Sequence, residues 1–126
     1  MDQKKKKVCI DFDGVLAEYH GWEGEHHHGK PLPGVKAFLE KLRMANIDVI
    51  VLTSRESKEH ILAWFKRYGL PIPVEITNRK IPANAYIDDR AVYFDGNFDH
   101  LLKTLRSFKV YWSQKQPFKA LTTTKE

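Results

Sequence analysis

The chain has 126 residues and a net charge of +5, with 42% hydrophobic and 29% charged residues. These proportions exclude a disordered or fibrous protein and allow one substantial core. No apolar run approaches a membrane span, and the lysine-rich start lacks the apolar centre of a signal peptide, so a cytoplasmic globular domain covering 1–126 is expected.

Lys4 to Lys7 form the one dense basic run. Residues 1–6 read either as a solvated, solubilising arm or as a contact for a polyanion such as nucleic acid. The first apolar stretch follows, Val8-Cys9-Ile10, and stops at Asp11-Phe12-Asp13-Gly14. Apolar and β-branched residues ended by Asp and Gly predict a buried strand whose tip leaves the sheet. The lone cysteine, Cys9, reads as a small buried hydrophobe. Side chains at i and i+2 lie on one side of a strand, so Asp11 and Asp13 project together if the extended geometry persists. Two adjacent carboxylates repel unless a cation or a shared proton lies between them. They read as a metal site with a nucleophile, or as an Asp-Gly turn beside a helix cap.

Residues 18–30 carry three glycines and clustered polar residues and read as a loop or short hairpin. His26, His27 and His28 are adjacent, so their side chains diverge, which suits a solvated loop better than a metal site. Pro31 to Gly34 open a helix with Val35, Phe38, Leu39 and Leu42 on one face, stopped near Asn46. Ile47 to Thr53 is mostly apolar, as a parallel strand buried on both faces should be, and ends in Thr53-Ser54-Arg55. Ser54 or Ser57 caps a second helix with Ile61, Leu62, Phe65 and Tyr68 on its inner face and Gly69 and Pro71 at its end. Val74–Thr77 and Ala85–Asp88 are short strands, the second ending in Asp88-Asp89. A two-stranded element around Val92–Phe94, a helix bearing Phe98, Leu101, Leu102 and Leu105, and an edge strand at Val110–Trp112 complete the expected elements. The tail, 113–126, is polar and loosely held.

The alternation of strands and helices predicts a single three-layer α/β domain: a central parallel sheet, right-handed crossovers and helices on both faces. Its rim would gather Asp11/Asp13, Thr53/Ser54/Arg55 and Asp88/Asp89, since ligands of such sheets bind at the carboxyl ends of strands.

Taken together, Asp11-Phe12-Asp13-Gly14, Thr53, Lys80 (with Arg79 adjacent) and Asp88-Asp89 resemble the four ordered motifs of the haloacid dehalogenase superfamily. The resemblance runs from residue 8 to about 96, and its last part is similar to small capless members. The stretches after Gly14 and between Thr53 and Lys80 leave no room for a cap domain.

The resemblance implies a Rossmann-like fold and a magnesium-dependent phosphatase. Asp11 would be the nucleophile that forms an aspartyl-phosphate, and Asp13 the acid and then the base. Thr53 would donate to the phosphoryl group and Lys80 would balance its charge. Asp11, the Asp13 carbonyl and Asp89 would hold Mg2+, with Asp88 close by. Without a cap, the substrate could be large or polymeric, or a second copy of the chain could supply a lid. A phosphatase of nucleic-acid ends and a non-catalytic binding module are the alternatives. Magnesium-dependent turnover separates the enzymes from the module.

Overall fold

The computed structural model of the chain describes residues 5–122, so residues 1–4 of the basic arm and 123–126 of the tail lie outside the described residues. The chain forms two compact units that part between Asp88 and Asp89. The first is α/β and Rossmann-like. Its elements are β1 (Lys7–Asp11), α1 (Val35–Met44), β2 (Asp48–Leu52), α2 (Lys58–Arg67), β3 (Glu75–Thr77) and β4 (Ala85–Ile87). All strand pairs are parallel, in the order β3-β2-β1-β4.

The register explains the core. Ile10 lies beside Val51 on β2 and Ile87 on β4, and Val51 lies beside Ile76 on β3. These residues share one face, and Val8 joins them two positions before Ile10. Against that face pack Val35 and Leu39 of α1, and Ile61, Trp64 and Phe65 of α2. Cys9 and Ile50, paired in register, are buried on the opposite face. On that face their outer register partners, Tyr86 on β4 and Glu75 on β3, are exposed, so burial there is confined to the two central strands.

Helix boundaries follow local chemistry. Gly34, at φ 90°, opens α1 in a left-handed conformation that a side chain would strain. Ser57 caps α2, its Oγ accepting the His60 N–H at 3.3 Å, so Ser54 is not the cap. Both helices end in the same way. Asn46 (φ 61°) and Gly69 (φ 62°) turn left-handed, and the N–H groups of Ile47 and Leu70 reach back to the Leu42 and Phe65 carbonyls. One expected core position differs: Phe38 is exposed. On α2 the expected face is buried, and Trp64 joins Phe65 in it.

Only the 18–30 loop lies between β1 and α1, and only α2 and β3 lie between β2 and β4, so no cap domain is inserted. The loop is a closed excursion. Ala17 bridges Pro31, and the Glu18 N–H donates to the Lys30 carbonyl at 2.8 Å.

In the second unit, α3 (Phe98–Arg106) is capped by Asn97, whose side chain accepts from the His100 N–H at 3.1 Å. The expected strands at Val92–Phe94 and Val110–Trp112 do not form. A run of three aromatic or β-branched residues becomes a strand only where a neighbour completes its hydrogen-bond ladder. Of the basic arm, Lys5 pairs with Asp48 at 2.8 Å and Lys7 enters β1.

Candidate active site

β1 lies between β2 and β4, and the chain crosses from one side of it to the other after β3. In an open parallel sheet this reversal leaves a crevice at the carboxyl ends of the central strands. Asp11 closes β1, and Asp88 and Asp89 follow β4 directly. Carboxylate oxygens from the three lie within 4.8 Å of one another. Asp89 is joined to Asp88 by a single peptide bond, and its Oδ2 accepts the Trp112 indole N–H at 2.6 Å. Its Oδ1 is buried and has no hydrogen-bond partner. A buried carboxylate oxygen without a donor costs free energy, and a cation among three carboxylates removes both that cost and their mutual repulsion. Hard oxygen donors of this kind suit magnesium. The residues fit the metal that the sequence implies.

Asp13 does not join this group through its carboxylate. The extended chain stops at Asp11, and the backbone turns around the Phe12 carbonyl, which accepts from the N–H groups of Leu16 and Ala17. Phe12 is fully buried against Trp64, with ring centroids 4.8 Å apart. The Asp13 side chain is held by Arg55 instead, Nε donating to Oδ2 at 2.7 Å and Nη2 to Oδ1 at 2.9 Å. The extended geometry does not persist to Asp13, so its carboxylate and that of Asp11 do not project together; the metal role that the resemblance gives Asp13 falls to its backbone carbonyl.

Thr53 is buried at the end of β2. Its N–H donates to the Thr77 carbonyl at 2.9 Å, and its Oγ1 accepts the Arg55 N–H at 3.1 Å. The hydroxyl hydrogen remains available to donate. Lys80 is exposed, with its ammonium 4.8 Å over the Tyr86 ring. Arg79 is exposed too, and its N–H donates to Thr77 Oγ1 at 3.1 Å. Neither side chain is brought to the carboxylates by a described contact.

Arg55 is the residue that sequence reasoning placed on the rim without giving it a role. A basic residue at the carboxyl end of a strand, opposite two aspartates, is a signal that could have found it. Only 4% of Arg55 is exposed. The loop it reaches is also pinned by Trp64, whose indole N–H donates to the Gly29 carbonyl at 2.7 Å. A cavity of about 100 Å³ lies under the loop, lined by Asp13, Glu18, Tyr19, His27, Gly29 and Arg55. A larger one, about 160 Å³, lies at the amino end of the sheet by Lys5, Asp48 and Val74, far from these groups.

His28 faces inward from the loop, edge-on to Phe12 at 5.8 Å. Burial, reinforced by the Arg55 guanidinium, pushes its pKa below the ordinary value. Burial likewise raises the Cys9 thiol, which keeps it inert inside β1.

The family model described as haloacid dehalogenase-like hydrolase matches residues 8–117. A solved structure from Bacteroides thetaiotaomicron, titled as a conserved protein, is similar in fold with a TM-score of 0.58. It shares 19% identity, and the match covers 86% of this chain and 95% of that one. Comparison with curated proteins finds no match. Among the described residues, no helix is long and apolar enough to cross a membrane.

Proposed function

Because the chain belongs to the haloacid dehalogenase-like hydrolases, we propose that it hydrolyses phosphate monoesters at the Asp11 rim, with magnesium held by Asp11, Asp88 and Asp89. The observation that carries this reading is the gathered carboxylate group with the buried, unpartnered Asp89 Oδ1. When bound, the metal would offset phosphate charge next to the nucleophile.

The Asp11 carboxylate attacks phosphorus, and the bond from phosphorus to the ester oxygen breaks. Asp13 gives that oxygen a proton, then takes one from the water that cleaves the aspartyl-phosphate. Inorganic phosphate leaves and Asp11 is restored. The Thr53 hydroxyl serves as a donor to a phosphoryl oxygen, and Lys80, or Arg79 beside it, would supply positive charge on reaching the substrate. The absence of a cap leaves the rim open to large phosphorylated substrates.

The test is hydrolysis of a general phosphate ester with millimolar magnesium and again with a chelator. Turnover that appears only with the metal supports the reading. No turnover under either condition with a panel of phosphate esters overturns it.

A further inference from the structure

We propose that Arg55 is a positioning residue: a buried clamp that holds the Asp13 carboxylate and the 24–27 turn of the loop in one geometry. The acid–base group and the wall of the adjoining cavity are thereby set together.

A guanidinium has five N–H donors in a fixed planar fork. In this protein all five are used. Nε and Nη2 donate to the two Asp13 oxygens at 2.7 and 2.9 Å. Nη1 donates to the Gly24 carbonyl at 3.1 Å and the Glu25 carbonyl at 2.7 Å, and Nη2 donates again to the His27 carbonyl at 2.8 Å. The plane also lies 4.9 Å from the centre of the Trp22 ring. No N–H remains for a phosphoryl oxygen, so Arg55 acts through other groups rather than on substrate.

The loop side is doubly fastened. Glu25 turns its Oε2 to the N–H groups of Glu56 at 3.1 Å and Ser57 at 3.5 Å, the residues that follow Arg55. Three loop carbonyls and one carboxylate thus converge on a single strand end. A lysine cannot replace this, since its ammonium has three donors and no planar fork. The clamp still permits proton transfer, because each Asp13 oxygen keeps a second lone pair.

The catalytic half of this inference rests on the reading of Asp13 as acid and base; the loop half does not. Two measurements keep them apart. In the first, Arg55→Lys and Arg55→Ala are assayed by rapid quench with an alkyl phosphate and with p-nitrophenyl phosphate. The expected result is a phosphorylation step slowed about 100-fold for the alkyl ester, the scale of a general acid's contribution, and far less for the nitrophenyl ester. In an Asp13→Asn background the same Arg55 changes should add less than about threefold. Equal losses for both esters, additive losses in that background, or full rescue by lysine would overturn the positioning of Asp13.

The second measurement needs no activity and covers the case in which Arg55 variants do not fold. A glutamate-specific protease should cut Asp13→Asn after Glu23 and Glu25 at least about threefold faster than the parent, as the turn opens locally. Unchanged cleavage at those sites would show that Asp13 and the loop are not joined through Arg55. A parent inactive on every ester would overturn the hydrolase reading, while the protease result would still decide the clamp.

Discussion

The Trp112 indole N–H and Asp89 Oδ2 lie 2.6 Å apart, and this single bond orients the carboxylate so that its other oxygen is buried without a donor. A cation is one group that could satisfy that oxygen, and the proposed magnesium site gives a direct test. Magnesium at about 100 times its Kd should add about 2.7 kcal/mol to stability and raise the Tm accordingly. Asp89→Asn should shrink the shift strongly. Trp112→Phe, which frees the carboxylate to rotate, should weaken magnesium binding as read by titration calorimetry. An unchanged affinity in Trp112→Phe would remove the indole from the site.

The base of the loop has no room for a side chain. A Cβ on Gly29 would stand 2.1 Å from the Glu18 carbonyl oxygen, which is backbone and cannot swing aside. Gly29→Ala should therefore cost about 1–3 kcal/mol, the range for overpacking. The check is the urea midpoint at unchanged m-value. Gly21→Ala, where a Cβ meets nothing but φ is 133°, should cost less.

Acid should loosen the loop through His28. Its pKa in the fold lies below the ordinary 6.5, first because of burial and then because of Arg55. Between the two values the unfolded chain binds more protons than the folded one, so stability falls as pH falls through that window and is complete above it. His28→Phe should flatten the fall below about pH 6.5, measured by thermal melts across pH. Asp95, held below its ordinary 3.8 by the His100 hydrogen bond, adds a separate loss only at lower pH. An unaltered slope below pH 6.5 in His28→Phe would place the sensitivity elsewhere.

The two aspartates of the first motif should part company in kinetics as they do in space. Asp11→Asn should abolish turnover of every phosphate ester, since an amide cannot form the aspartyl-phosphate. Asp13→Asn should still be phosphorylated by p-nitrophenyl phosphate, whose leaving group needs no proton, and then stall. Rapid quench would show a nitrophenolate burst followed by slow release. A burst in Asp11→Asn would reverse the two roles.

The sequence by itself determined the elements of the first unit, their order and the strand ends that carry acids. Apolar runs and helical spacing are local signals, and Val8–Ile10, Ile47–Leu52 and the face of Ile61 and Phe65 display them within a few residues. Even the pairing of Asp11 with Asp88-Asp89 was legible, because strands ending in carboxylates in a parallel sheet put those ends on one rim. The tertiary structure decided that Asp11 and Asp13 lie in separate settings. A turn held by the Phe12 carbonyl sends one carboxylate toward Asp88 and the other to Arg55. The role of Arg55 depends on carbonyls some thirty positions away in sequence, on a loop with no periodicity of its own. Val92–Phe94 and Val110–Trp112 looked like strands but had no ladder to join, and a strand, unlike a helix, is completed only by its neighbour.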